Sequence, residues 1–166
     1  MGQIINLFYE NPNKEFYLRQ IARITNIPKS TVARKLKQLL KENLILKKKS
    51  EPYNYFIANQ KNIIYRLKKK FYIIEKIYKS GLIEYLEKKT LPKAIVLFGS
   101  CAKGEFDKDS DIDIFINSSE IQLNLKDFHL KHKINVFFEA NVLKLSPELR
   151  QNILNGVLLY GMIKYE

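Results

Sequence analysis

The chain is poor in the residues that mark several protein classes. Its 166 residues include one cysteine, two histidines, six glycines and five prolines. The single Cys101 cannot form an internal disulfide, and this usage suits a reducing cytosol. So little proline and glycine, beside 46% hydrophobic residues, excludes wholesale disorder and leaves enough apolar material for a core. No apolar run approaches the roughly 18 residues that a membrane span needs. The opening "MGQIINLFYENPNKE" has no basic region and no small-residue cleavage site, and reads as carrying no signal peptide. Gly2 is followed by Gln3-Ile4-Ile5-Asn6, which lacks the hydroxyl residue of a myristoylation signal. The expectation is a cytoplasmic chain with no membrane partner.

What is abundant is positive charge, and it is unevenly placed. The whole chain carries +12, yet residues 1–90 hold 20 Lys+Arg against 7 Asp+Glu, which is +13, and residues 91–166 hold 9 against 10, which is −1. A basic half joined to a near-neutral half points to a polyanion-binding module attached to something else. A merely solvated lysine-rich surface would give the same count.

"QIINLFYENP" reads as a short helix stopped at Asn11-Pro12. Phe16, Leu18, Ile21, Ala22 and Ile24 place an apolar stripe on a second helix, and Asn26-Ile27-Pro28 makes a short turn into a third. Val32, Leu36, Leu39 and Leu40 form one buried face of that third helix, with Lys29, Ser30, Thr31, Arg34, Lys35 and Lys37 largely off it. "LILKKK" and "NYFIA", separated by a turn at Pro52, read as a hairpin. Helix, helix–turn–helix and basic hairpin over residues 1–58 resemble a winged-helix DNA-binding domain. That resemblance implies double-stranded DNA as a partner and a role in transcription regulation. Lys29, Ser30, Thr31, Arg34 and Lys35 of the third helix would face the major groove, with Lys47, Lys48 and Lys49 at the wing. The alternative is a winged helix used only for protein contacts.

Residues 59–90 form a helical linker. Ile63, Leu67, Phe71, Ile74 and Tyr78 step by four, four, three and four, which predicts a long amphipathic helix broken or capped near Ser80-Gly81. It either packs between the domains or joins two copies in a homodimer.

From Lys93 the pattern changes. "KAIVLF" is a buried strand, followed by a Gly-Ser turn, a polar segment and a second strand "DIDIFI". Ser118-Ser119 can cap a helix running to about Lys131, with His129 and His132 read as surface or half-buried histidines and not a zinc site. "KINVFFE" is a third strand, Ser146-Pro147-Glu148 starts a helix, and "VLLYGMI" is a last strand.

The polar segment and second strand carry five acids at alternate positions: Glu105, Asp107, Asp109, Asp111 and Asp113. A calcium loop of the EF-hand type is excluded, because Ile112 stands at the required glycine and Ser118 at the closing glutamate. A solvated turn accounts for Glu105, Asp107 and Asp109. It does not account for Asp111 and Asp113, which lie side by side on one strand face and repel unless something positive lies between them.

Gly99-Ser100, ten residues, then Asp111-Ile112-Asp113 is a GS-x10-DxD pattern. In it the chain, over residues 91–166, resembles the minimal nucleotidyltransferases of the DNA polymerase beta superfamily. The fold implied is α+β: an N-terminal winged helix, a helical linker, and a small C-terminal nucleotidyltransferase domain with a mixed β-sheet flanked by helices. The resemblance implies Mg²⁺-dependent transfer of a nucleoside monophosphate, AMP foremost, from ATP or another NTP. Gly99 and Ser100 would bind the triphosphate, and Asp111 and Asp113 would be catalytic and hold the metal. Such proteins are often antitoxins that modify a HEPN-type partner, so a protein hydroxyl is one acceptor.

One position departs from the pattern. The family places a third carboxylate on the third strand, where this chain has Asn135. An amide can ligate a cation through its oxygen but cannot act as a base. Glu139, four residues on and on the same strand face, is an alternative ligand or an ordinary strand-end residue. Two readings follow: an active transferase, or a regulator whose transferase domain is inactive and senses nucleotide or mediates assembly.

Overall fold

The computed structural model describes residues 2–163. They form two compact units that divide between Lys69 and Lys70, inside a helix.

The first unit opens with α1 (Gly2–Glu10), α2 (Leu18–Thr25) and α3 (Lys29–Lys41), followed by strands β1 (Ile45–Lys48) and β2 (Tyr55–Ala58). Asn26 ends α2 in the left-handed conformation, and Ile27 N–H returns to Ala22 O, so the chain reverses within three residues. α3 buries Val32 and Leu36. β1 and β2 are antiparallel, with Ile45 opposite Ala58 and Lys48 opposite Tyr55. Phe16 is a correction to the expected second helix. It precedes α2 and bridges in extended form to Phe56, each N–H bonding the other's carbonyl at 2.9 and 2.8 Å. Its ring still reaches the core, edge-on to Phe8 at 5.1 Å. Ile24, also expected on the stripe, is exposed. The unit is a small helix-turn-helix-like arrangement of helices and hairpin.

α4 (Ile63–Lys79) and α5 (Leu82–Thr90) replace one long helix, broken at Ser80-Gly81 as the sequence suggests. Gly81 takes a left-handed φ of 76° there. The early part of α4 is tied to the first unit by Tyr65, whose hydroxyl donates to Phe8 O at 2.7 Å. Burial raises that phenol's pKa, which keeps the donor proton in place. The face of α4 that packs is not the expected one. Tyr65, Lys69, Ile73 and Ile77 are buried, four residues apart, while Ile63, Leu67, Phe71 and Tyr78 are exposed and only Ile74 of the expected stripe packs, partly buried, on the core.

The second unit is built on a four-stranded sheet of β3 (Ala94–Phe98), β4 (Ile112–Ile116), β5 (Ile134–Phe138) and β6 (Val157–Gly161), in the order β5-β4-β3-β6. β3 is antiparallel to β4 and β6, and β4 is parallel to β5, so the sheet is mixed. All five residues of β3 are buried, as a central strand covered on both faces requires. One face, with Ile95, Leu97, Ile112, Ile114 and Ile116, packs on Ile73, Ile77, Leu82, Ile83 and Leu86 of α4 and α5. The other face, with Val96, Phe98 and Phe115, packs on Val142 and on Ile153 of α7 (Pro147–Leu154). Ser146 caps α7 by accepting from Leu149 N, with Pro147 in its first turn. The whole is α+β, a mixed sheet flanked by helices. No described helix is long and apolar enough to cross a membrane.

Two further expectations are corrected. Gly99-Ser100 is not a bare turn; it opens a short helix, α6 (Gly99–Lys103). The segment from Ser118 to Lys131 is not helical. Its apolar residues Leu123, Leu125, Phe128 and Leu130 pack onto the sheet's core. They fall at alternate positions, a period of two that lays an extended chain on a surface and cannot make one helical face. His129 and His132 therefore do not share a helix: His129 is exposed and His132 is buried.

Candidate active site

Strand register builds the site. Phe98 pairs with Asp113 across β3 and β4, and Asp113 pairs with Asn135 across β4 and β5. Registered neighbours point to the same face, so these three make a row, and Asp111, two residues before Asp113, joins it. Asn135 Nδ2 donates to Asp111 Oδ2 at 3.0 Å and to Asp113 Oδ1 at 3.2 Å. The positive end of the amide dipole thus stands between two carboxylates and lessens their repulsion.

Three local devices hold the pair. Gly99 has φ +71°, and a Cβ there would lie 2.6 Å from Asp113 Oδ2, so both conformation and space require glycine. Cys101, buried in α6, donates its thiol to Asp111 O at 3.3 Å. The third is the turn that delivers the chain to Asp111. Asp107 Oδ1 accepts from Asp109 N at 3.1 Å and from Ser110 Oγ at 3.0 Å, while His132 Nδ1 lies 2.8 Å from Ser110 O. The sequence reading gave Asp107 no role beyond solvation and left His132 surface or half-buried. Asp107 pins a turn, and the buried His132 packs edge-on to Phe106 with centroids 5.5 Å apart. Glu105 and Asp109 are exposed.

The two carboxylates suit a hard divalent cation, since each already turns an oxygen to one shared point. Half a turn of the Asn135 amide would present its carbonyl oxygen there. Among the described residues no group of three or more His, Cys, Asp or Glu gathers to hold a metal. Mg²⁺ commonly takes one or two carboxylates and fills its shell from water and substrate phosphate. Asp111 and Asp113 fit that mode, with Ser100 in the adjoining first turn of α6. Glu139 is not brought to the pair. It lies four residues beyond Asn135, roughly 13 Å along the strand, and its Oε1 accepts from Asn141 N at 2.9 Å.

Phe137 escaped the sequence reading. Two residues from Asn135 on the same face, it is 41% exposed and stands edge-on to Phe98 at 5.4 Å. An aromatic face lies open on the surface that carries the acids. The signal was the alternation in "INVFF", which sets Phe137 on the polar residue's side.

In the first unit the proposed DNA-facing residues divide. Ser30 and Arg34 lie exposed on α3, Thr31 is half-buried between them, and Lys48 and Lys49 are exposed at the hairpin. Lys35 lines a different depression, between α1 and α3, with Tyr9 and Glu42. Lys29 and Lys47 border an open groove of about 750 Å³ together with Arg19, Arg23, Tyr17 and Tyr53. Arg19 stands over the Tyr53 ring at 5.7 Å. Arg19 and Arg23 belong to α2, and only the folded hairpin brings them beside Lys47.

A family model described as "Polymerase beta, Nucleotidyltransferase" matches residues 80–163, just over half of the chain. A search of curated proteins finds no match.

Gly99→Ala tests the close approach to Asp113. Left-handed strain and the lost space should together lower stability by roughly 1–3 kcal/mol. Thermal or denaturant unfolding measures it, and an unchanged midpoint would refute the contact.

Proposed function

The chain belongs to the polymerase beta nucleotidyltransferase family, and we propose that it transfers a nucleoside monophosphate, AMP foremost, from an NTP to a hydroxyl acceptor. The observation that carries this reading is the convergence of Asp111 and Asp113 on one point beside Gly99. The acceptor oxygen bonds to the α-phosphorus, the bond from that phosphorus to the bridging oxygen breaks, and pyrophosphate leaves. Asp111 and Asp113 are the residues that would hold Mg²⁺, which would polarise the attacking hydroxyl and offset charge on the leaving group. Ser100 donates to phosphate oxygens. Asn135 cannot take a proton, so it is not the base that receives the acceptor's proton. Phe137 offers its open face to the nucleobase. A protein hydroxyl, including one on a HEPN-type toxin, suits an acceptor that this small site need not enclose.

The first unit is proposed as a winged helix that binds double-stranded DNA. Ser30, Thr31 and Arg34 would enter the groove, with Lys29, Lys47, Lys48 and Lys49 on phosphates, and Arg19 and Arg23 join them. A second reading keeps the DNA-binding regulator and makes the transferase site an inactive nucleotide sensor. What favours it is the Asn135 bridge, which balances the carboxylates without any metal.

Incubation with ATP labelled at the α-phosphate, Mg²⁺ and candidate partner proteins separates the two. Transfer should fall at least about 100-fold in Asp111→Asn and Asp113→Asn. Asn135→Asp should raise Mg²⁺ affinity, read by titration calorimetry. Nucleotide binding with no transfer in wild type or in Asn135→Asp favours the sensor.

Phe137→Ala should weaken ATP binding about tenfold, consistent with one lost stacking contact, while binding of tripolyphosphate stays the same. Equal losses for both ligands would dismiss the stacking role.

Arg34→Glu should weaken DNA binding about tenfold or more and flatten its salt dependence. Unchanged affinity for genomic fragments would remove α3 from the interface.

A further inference from the structure

The open groove of the first unit, bordered by α2, the start of α3 and the hairpin, holds more than phosphate contact uses. Arg19 and Arg23 stand four residues apart on one face of α2. Lys29 opens α3, and the hairpin register sets Lys47 opposite Phe56, so both reach the same side. Among the described residues none of these four cations is in an ion pair, and no aspartate or glutamate lines the groove. Four cations around one groove with no counter-charge favour a bound polyanion. The rest of the lining is largely apolar and aromatic. Leu18 and the buried Phe56 contribute to it, and the rings of Tyr17 and Tyr53 are 38% and 58% exposed.

We propose that this groove binds single-stranded nucleic acid, with the four cations on its phosphates and an unstacked base laid on Tyr53. The open rings select this occupant. A duplex keeps its bases stacked inside, so it gives the cations their phosphates and leaves Tyr17 and Tyr53 with nothing to stack on. An acidic protein segment leaves the rings uncovered in the same way. In a single strand every base has a free face, and a basic groove interleaved with aromatic rings is the surface that takes it, with little regard to sequence or sugar. Arg19, over the Tyr53 ring at 5.7 Å, puts a charge and a stacking face in one place. Size agrees: sites that enclose small ligands run to roughly 300–1,000 Å³. At about 750 Å³ the groove admits a base with its sugar and phosphate, and being open it lets the strand continue on either side. The proposal goes beyond the double-stranded DNA reading, which rests on the exposed face of α3, and neither requires the other. Arg34, on that face, does not line the groove.

The test is fluorescence anisotropy of the full chain with three labelled probes of about twelve nucleotides: a dT strand, a U strand and a mixed-sequence duplex. Both single strands should bind. Their affinity should fall with salt at a log–log slope of about −3, as four neutralised phosphates require, and Arg23→Ala should flatten that slope by about 0.7. Tyr53→Ala should weaken strand binding about tenfold and leave duplex binding unchanged, whereas Tyr53→Phe, which keeps the ring, should bind the strand like wild type. Arg34→Ala should do the reverse, weakening the duplex and sparing the strand. A circular dichroism spectrum matching wild type checks that the variants fold. No strand binding in wild type, strand binding indifferent to Tyr53→Ala, or equal losses for strand and duplex in that variant would overturn the proposal. A duplex that does not bind, beside a strand that is lost with Tyr53→Ala, would support it and remove the double-stranded reading alone.

Discussion

Two carboxylates held side by side on one strand face repel each other, and the local structure of the second unit is arranged around that constraint. Asp111 and Asp113 cannot turn to opposite sides, because the strand alternates and both fall on one side. Asn135 supplies a donor between them from the neighbouring strand. Gly99 withdraws a side chain so that Asp113 can approach the start of α6. Cys101 and the Asp107 turn fix the backbone that carries Asp111. On the proposed reading, a backbone fixed in this way would leave only the Asn135 amide to turn before a cation and phosphate could be received.

The glycine makes the point about spacing. Gly99 and Asp113 are fourteen positions apart in sequence, yet the antiparallel register of β3 and β4 sets Asp113 opposite Phe98, the residue before Gly99. The interval between the two motifs is therefore the length of chain needed to leave one strand, make α6 and the Asp107 turn, and return in register. Asn135 enters the same row through a parallel pairing whose crossover is extended and apolar at alternate positions, not helical.

Much of this was legible in the chain. The elements of the first unit, the break at Ser80-Gly81, the buried β3 and the cap at Ser146 all rest on local signals: capping residues, turn residues and short apolar periods. The errors share a cause. Phe16 was taken into α2 because an apolar residue two positions before a helix looks the same whether it winds or extends, and only pairing with Phe56 decides. Ser118–Lys131 was read as a helix from its cap, against an alternation that favoured an extended chain. On α4 two apolar faces overlap at helical spacing, and periodicity alone ranks them equally. Lys69 lies buried on the face that packs, where residue type alone places no lysine.

What the sequence by itself determined is the chemistry on offer: two carboxylates in alternate positions, a glycine and serine ahead of them, an amide where a third acid is expected, and a basic N-terminal half. These are matters of residue type and local period, and they survive any arrangement of the chain. The tertiary structure decided which of those groups meet. It brought Asn135 to the acid pair and left Glu139 to cap a turn. It gathered Arg19 and Arg23 beside Lys47 and left Leu67 and Phe71 of α4 exposed. Proximity between distant residues is set by strand register and by which helix face finds a core, and both are settled only when the elements pack together.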